Sequence, residues 1–173
     1  MHASESATRV DEDRVLVDID RSLPAVYDYL LHRCGARALA EDLTSETVLA
    51  TVDRVHGGYI DSIEIGYLIG IARHKLVDHW RRQEREQRHL KVYLRDEEFA
   101  DDTVFEPGRA AAVLAELNPM QRAALTLRYV DDLPVPEVAR VLGRTVHATE
   151  TLLMRAKRAF RSRYALHEDR NNG

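Results

Sequence analysis

An acidic stretch without periodicity divides the sequence in two, and this division limits the possible folds more than any other feature. Residues 92–108 carry neither a helical nor a strand pattern, and they end at Pro107-Gly108. Arg95 is the only base among residues 93–107, against the acids Asp96, Glu97, Glu98, Asp101, Asp102 and Glu106. This composition is typical of a linker. The 173 residues are therefore expected to form two small domains.

Helix signals occur on both sides of this stretch, and no strand pattern of any length is present. Ser22-Leu23-Pro24 is typical of a helix start, Gly35 of a helix end, and Asn118-Pro119 of an N-cap followed by proline. Apolar residues at helical spacing predict the remaining elements. The predicted helices cover about 24–34, 38–54, 63–88, 109–117, 119–130, 136–142 and 146–163. The fold class is therefore all-α, with two small helical domains joined by an acidic linker.

The predicted organisation has five parts. They are an acidic N-terminal arm (1–21), a first helical domain (22–91), the linker (92–108), a second helical domain with a helix-turn-helix (109–164) and a C-terminal tail (165–173). Charged residues make up 31% and hydrophobic residues 45% of the chain, as in soluble globular proteins. No apolar run is long enough for a membrane span, and no signal peptide is evident. The single cysteine, Cys34, excludes an internal disulfide, and a cytoplasmic location is expected.

Charge is segregated along the chain. The net charge of −4 argues against nucleic-acid binding, but residues 73–91 hold seven Arg and Lys against three acids. Residues 155–163 hold five bases and no acid. Each basic zone could meet a polyanion locally. The alternative for any single zone is a solvated helix face.

The segment 134–161 has the pattern of a helix-turn-helix. Gly143 permits the turn and Thr145 can cap the second helix. The shared core is expected from Val138, Ala139, Leu142, Val146, Leu153 and Phe160. Such a motif sets the start of its second helix in the major groove. An ordinary helical hairpin is the alternative.

Two other helices carry candidate binding residues. In the helix of residues 38–54, Asp42 and Glu46 stand four apart, so their carboxylates project together and could meet a basic partner; simple solvation is the alternative. In the helix of residues 63–88, basic side chains point in nearly every direction around Trp80, with Tyr59 and Tyr67 nearby. Such a helix can hold phosphates and stack on bases, although Trp80 could equally close a core.

Catalytic and metal signatures are weak. His74 and Asp78 have a spacing that metals use, but no second pair at ligand spacing accompanies them, so no metal site is expected. No triad order and no glycine-rich phosphate loop occurs. We therefore expect neither an enzyme nor a cofactor.

Taken in order, these segments resemble an extracytoplasmic-function (ECF) sigma factor of the sigma-70 family, over about 23–164. The segment 40–47 is similar to "AEDLxQET", with Ser45 in place of glutamine. The segment 67–79 is similar to "WLxxIARNxxxDxxR", with Tyr67 and His74 in place of tryptophan and asparagine. In the second domain, 136–143 resembles "eEIAxxLG", and Arg155-Ala156 the closing "RA".

The resemblance implies a promoter-specificity subunit of bacterial RNA polymerase. Its first domain would bind the clamp helices of the largest polymerase subunit and melt and read the −10 element, with a base flipped into the loop of residues 54–62. Its second domain would read the −35 element, and the flap of the second-largest subunit and an anti-sigma factor are further implied partners. The implied polymerase contacts are Asp42, Ser45 and Glu46. The implied −10 contacts are Tyr59, Tyr67, Arg73, Lys75, His79, Trp80, Arg81, Arg82 and Arg85. The implied −35 contacts are Arg144, Thr145, His147, Ala148, Thr149, Thr151, Arg155, Lys157 and Arg158.

The sequence departs from the family pattern in its recognition helix, where Glu150 and Leu152 stand at positions that are commonly basic. Two other functions are therefore considered. One is a helical interaction module or decoy that keeps the fold but does not read promoters. The other is a stand-alone helix-turn-helix regulator, which would leave Asp42, Glu46 and the first basic helix without a role.

Overall fold

The computed structural model describes residues 2–57, 59, 63–93 and 108–171, with side chains for 15, 17–57, 59, 63–88 and 108–167. These residues form seven α-helices and one π-helical segment, with no strand among them. The helices are α1 (His2–Cys34), α2 (Arg37–His56), α3 (Ile65–Tyr93), α4 (Arg109–Ala115), α5 (Pro119–Leu125), α6 (Val135–Val141) and α7 (Val146–Asn171); the π-helical segment is Thr126–Val130. The all-α prediction is confirmed. Most of the predicted linker lies outside the described residues.

The first helix begins far earlier than its proline suggests. α1 starts at His2 and carries Pro24 inside it, so the predicted start at 22–24 is wrong. Val15 and Ile19 before the proline are buried, as are Val26 and Leu30 after it. These four residues form one stripe at helical spacing, and their packing outweighs the roughly 3 kcal/mol that an interior proline costs. From His2 onward the expected N-terminal arm is therefore helical, and its buried Val15 and Ile19 belong to the core.

Local signals at other helix ends are confirmed. Gly35 has φ +76° and its N–H donates to Leu31 O at 2.9 Å, which is the expected way to end α1. The side chain of Asn118 accepts from Met120 N–H at 3.0 Å, and Pro119 follows at the first turn of α5.

The described chain forms two compact units, which divide between Leu76 and Val77 inside α3. In the N-terminal unit, α1 packs on α2, and Leu30, Leu43 and Leu68 are buried. The predicted boundary at 92–108 lies further along the chain. The second half of α3 belongs with the later helices because Arg81 Nη2 donates to Val141 O, at the end of α6, at 2.8 Å.

The C-terminal unit packs the shorter helices α4, α5 and α6 against or beside the long α7. Val113, Leu127, Val138 and Ala156 are buried in it. The predicted helix 119–130 is present, but its last five residues are π-helical. Asp131 N–H donates to Thr126 O at 2.9 Å, which is a bond to the fifth residue back rather than the fourth.

Candidate nucleic-acid interfaces

One face of α2 carries exposed acidic residues, and the adjoining face of the helix is buried. Leu43 and Thr47 are buried, and the Thr47 hydroxyl donates to Leu43 O at 2.7 Å. Asp42 and Ser45 are exposed, and Ser45 Oγ donates to Glu41 O at 3.0 Å. A neighbouring apolar side chain, Leu49, is 65% exposed. Carboxylates beside an exposed leucine suit a protein partner with basic and apolar groups.

Two polar contacts join α2 to α3. Glu46 Oε2 lies 3.3 Å from Lys75 Nζ. Arg54 Nη1 donates to the Tyr67 hydroxyl at 2.9 Å, and its guanidinium lies 5.9 Å from the Tyr67 ring centroid. The two contacts are eight residues apart on each helix and in opposite order, so α2 and α3 run antiparallel along this face.

The predicted base pocket of residues 54–62 is described only in part, at residues 54–57 and 59. Its tyrosine, Tyr59, is 80% exposed. Tyr67 is half-buried under Arg54. These two residues therefore offer aromatic surface near the ends of α2 and α3.

Trp80 lies in the core. Its side chain is 1% exposed, so the expectation of a DNA-facing ring is wrong for this structure, and the alternative of a core residue is correct. Its helical position explains this result, because Ala72, Leu76 and Val77 on the same side of α3 are also buried.

Arg81 is held by protein contacts instead of projecting freely. Its Nη1 lies 2.5 Å from Asp78 Oδ1, and its Nη2 donates to Val141 O at 2.8 Å. Arg82 and Arg85 are exposed, and Arg73, Lys75 and His79 are half-buried. The basic side chains of α3 are thus exposed chiefly at Arg82, Arg85 and Arg88.

The turn between α6 and α7 has the predicted geometry. Gly143 has φ +58°, and the N–H of Arg144 donates to Ala139 O at 2.9 Å. Thr145 Oγ1 accepts from Ala148 N–H at 3.2 Å, which confirms the predicted cap. Of the predicted core residues, Val138, Ala139, Leu142 and Leu153 are buried. Val146 is 43% exposed, so its assignment to the core is wrong because it lies on the outer side of the first turn of α7.

The predicted −35 residues do not share one face of α7. Thr149 is fully buried, and its hydroxyl donates to Thr145 O at 2.9 Å, so the expectation of a DNA contact there is not met. At 100° per residue, the remaining side chains fall into two adjoining faces, which meet between His147 and Met154, about 20° apart around the helix. The first, here called the recognition face, comprises His147, Ala148, Thr151, Arg155 and Arg158 of α7, together with Arg144 of the turn before it; Arg158 stands at its edge and also lines the groove described next. The second, here called the groove face, comprises Glu150, Met154, Lys157 and Arg161.

The groove face lines a groove of about 650 Å³ with Arg128, Tyr129 and Val135. Tyr129 is 54% and Met154 65% exposed. Lys157 Nζ and the Arg128 guanidinium lie 5.2 and 5.5 Å from the Tyr129 ring centroid. Lys157 and Arg158 therefore both line a basic and apolar groove, with Arg158 at its border with the recognition face. Sequence reasoning missed Tyr129 and Arg161, although the spacing of 150, 154, 157 and 161 along one helix contains the signal.

Neither a metal-binding cluster nor a membrane-length helix was found in the described part of the chain. Among those residues, no group of three His, Cys, Asp or Glu side chains could hold a metal ion. None of the described helices is long and apolar enough to cross a membrane.

Comparison with known proteins identifies both parts of the chain. The family model Sigma-70 region 2 matches residues 19–86, and the model Sigma-70, region 4 matches residues 108–160. ECF RNA polymerase sigma factor BldN of Streptomyces coelicolor is 35% identical over 147 residues, which cover 80% of this chain and 56% of BldN. The chain thus spans little more than half the length of that relative.

Two further proteins agree with these matches. ECF RNA polymerase sigma factor SigM of Bacillus subtilis is 26% identical over 149 residues, covering 80% of this chain and 88% of SigM. The sigma factor RpoE of Bartonella quintana, solved in complex with the anti-sigma factor NepR, has a TM-score of 0.52 at 18% identity. The match covers 87% of this chain and 93% of RpoE, and it supports the fold.

Proposed function

The chain belongs to the sigma-70 family as an ECF sigma factor, and from this membership we propose that it directs core RNA polymerase to specific promoters and promotes melting of the −10 element. The observation that carries the proposal is the order of the matches, region 2 before region 4 on one chain. A stand-alone helix-turn-helix regulator has no need of the region 2 helices, and a decoy has no need of an intact recognition face.

Polymerase binding is proposed for the exposed face of α2. Asp42 and Glu46 would meet basic side chains of the clamp helices, and Ser45 would lie against the same partner. Leu49, exposed in the same helix, would add apolar contact area, which protein interfaces use at their centre.

Binding of the melted −10 strand is proposed for α3 and the residues before it. Arg82 and Arg85 would contact phosphates, together with Lys75, Arg73 and His79, and Tyr59 and Tyr67 would stack on bases. Stacking is worth roughly 1–3 kcal/mol per base, which offsets the few kcal/mol that a flipped base costs. Trp80 supports this surface from the core, and Arg81 supports it through Asp78.

Duplex binding at the −35 element is proposed for the recognition face of α7. Arg144, Arg155 and Arg158 would hold phosphates, while His147, Ala148 and Thr151 would face base edges, as a helix-turn-helix requires. Thr145 and Thr149 would keep the first turn of α7 in place. Glu150 lines the groove, and because it follows His147 by three residues its carboxylate also borders the base-reading residues.

The groove of the C-terminal unit is proposed as a protein-binding surface for the flap of the second-largest polymerase subunit. Its exposed tyrosine and methionine, ringed by bases, have the mixed character of protein interfaces. We also propose an anti-sigma factor as a partner, since RpoE was solved with one. The proposed place of action is the bacterial cytoplasm, and no catalytic step is assigned to the chain.

Run-off transcription tests the proposed function. The chain with core polymerase should give promoter-dependent transcripts from a genomic template library, and sequencing them would identify the promoters. Asp42→Ala with Glu46→Ala should reduce core binding about tenfold or more, through loss of charged contacts, with unchanged helicity by circular dichroism. The proposal would be refuted if the unmodified chain gave no promoter-dependent transcripts and did not bind core polymerase.

A further inference from the structure

One ion pair joins two surfaces with different proposed partners. Glu46 belongs to the α2 face proposed to bind polymerase, and Lys75 to the α3 surface proposed to bind DNA. Their charged atoms lie 3.3 Å apart, and their side chains are 40% and 33% exposed. Each group is thus paired inside the chain yet open to a competing partner from solvent.

We propose that Lys75 couples polymerase binding to DNA binding by exchanging partners. Glu46 holds Lys75 in the free chain, and polymerase binding at Glu46 releases Lys75 to a DNA phosphate. This inference rests on the proposed function, since it takes Glu46 as a polymerase contact and α3 as a DNA contact.

The chemistry of the pair favours the exchange. A partner that recognises the carboxylates of Asp42 and Glu46 is itself basic, and its cations compete with the Lys75 ammonium for Glu46. A phosphate competes with Glu46 for Lys75 in the same way. Polymerase and DNA therefore each remove one half of the pair, and each lowers the free energy needed for the other to bind. By thermodynamic reciprocity the two effects are equal.

The second contact between the helices keeps the exchange local. Arg54 Nη1 donates to the Tyr67 hydroxyl at 2.9 Å, in a contact that shares no residue with the ion pair. They lie eight residues along each helix from Glu46 and Lys75, or about 12 Å. The buried Leu43, Leu68 and Leu76 fix the backbones on either side. Lys75 can therefore change partner by a side-chain rotation, without separation of α2 from α3.

The magnitude follows from the exposure of the pair. Exposed ion pairs contribute little, and the coupling expected from this one is about 1.5- to 5-fold in affinity. A coupling of this size tunes the order of binding without blocking either partner.

The free chain provides the first test, with a fluorescein-labelled single-stranded DNA of mixed sequence as the anisotropy probe. Glu46→Gln should raise DNA affinity about 1.5- to 5-fold relative to Glu41→Gln, a matched control that removes an equal charge from an exposed position of α2. When Lys75→Gln is already present, Glu46→Gln should raise DNA affinity by no more than Glu41→Gln does. Equal effects of Glu46→Gln and Glu41→Gln in the parent chain would overturn the proposal.

Core polymerase provides the second test. Polymerase affinity is measured with and without DNA for the parent chain, Lys75→Arg and Lys75→Gln. DNA should raise the polymerase affinity of the parent chain and of Lys75→Arg by a similar factor. This factor should be smaller for Lys75→Gln, with helicity unchanged. A purely structural role for Lys75 would instead lower polymerase affinity equally with and without DNA, and that result would refute the exchange. Failure of every variant to bind polymerase would count against the proposed function, while the free-chain measurement would still decide whether Glu46 restrains Lys75.

Discussion

At the scale of single residues, burial separates side chains that the sequence places together. Trp80, Arg81 and Arg82 are consecutive and all were expected at a DNA surface. Trp80 is 1% exposed, Arg81 is held by Asp78 and Val141 O, and Arg82 is exposed. Of the three, Arg82 is the one that we still propose as a direct DNA contact.

Trp80→Ala should therefore act on stability. Removal of a buried indole leaves a cavity, and the free energy of unfolding should fall by about 3–5 kcal/mol. Urea denaturation followed by circular dichroism measures this change. Tyr59→Ala is the comparison, because its side chain is 80% exposed and its removal should change stability by less than about 0.5 kcal/mol. A small effect of Trp80→Ala would contradict the core assignment.

Arg81→Ala should affect mainly stability, whereas Arg82→Ala should affect mainly DNA binding. Arg81→Ala removes a charge-assisted hydrogen bond and should lower the free energy of unfolding by about 1–2 kcal/mol. Arg82→Ala should leave stability nearly unchanged but weaken binding of single-stranded −10 DNA by the polymerase complex. Denaturation and anisotropy measured on both variants give the comparison, and identical profiles would refute this separation of roles.

Residues whose role is set by their immediate neighbours could be predicted from sequence. Gly35, Asn118 and Thr145 end or cap helices through contacts within a few residues, and all three do so in the structure. Trp80 and Thr149 could not be assigned in this way, because their burial depends on helices distant in sequence. Pairing of Lys75 with Glu46 likewise depends on the packing of α3 against α2.

At the scale of elements, two adjoining surfaces of α7 are proposed to bind different partners. They share Arg158 at their border, so paired substitutions away from that border can distinguish them. Arg144→Ala with Arg155→Ala should weaken binding of −35 duplex DNA by about tenfold or more. Lys157→Ala with Arg161→Ala removes the same charge from the groove face and should weaken DNA binding less. Mobility-shift titrations of both double variants check this, and equal losses would contradict the two-face division.

Two glycines should respond oppositely to alanine. Gly143 has φ +58°, and an added Cβ would lie 3.3 Å from Arg81 Nη2, so Gly143→Ala should destabilise the chain by about 1–2 kcal/mol. Gly70 lies inside α3 with open space around the added Cβ, so Gly70→Ala should stabilise it by about 0.5–1 kcal/mol. Thermal denaturation measures the direction of the stability change for each variant. Stabilisation by Gly143→Ala would contradict the left-handed conformation of the turn.

The existence of each element could be predicted better than its limits. The helical spacing of apolar residues predicted a helix at each of the observed positions, because this spacing can be read directly from the sequence. The start of α1 could not be placed, because Pro24 is a strong local stop signal and the buried Val15 and Ile19 override it through tertiary packing. The spacing of 150, 154, 157 and 161 could have indicated the groove face of α7, but the contribution of Tyr129 to the groove depends on tertiary packing.

At the scale of the whole molecule, local charge should govern binding even though the net charge is −4. Affinity of the polymerase complex for promoter DNA should fall steeply with salt, since each phosphate contact releases counterions. Arg155→Ala should reduce the magnitude of the slope of log K against log salt concentration by about 1. Arg161→Ala, on the groove face, should leave the slope unchanged. Titrations across a salt series test both expectations.

The π-helical segment at 126–130 also has a consequence for how relatives of this chain are aligned. A π turn accommodates one residue more than the α-helix around it, and the bond from Asp131 N–H to Thr126 O spans that surplus. A homologue lacking one residue here can continue as a regular α-helix and keep the same buried side chains upstream. Single-residue alignment gaps within region 4 therefore belong between Thr126 and Val130, where they leave the register of α5 intact.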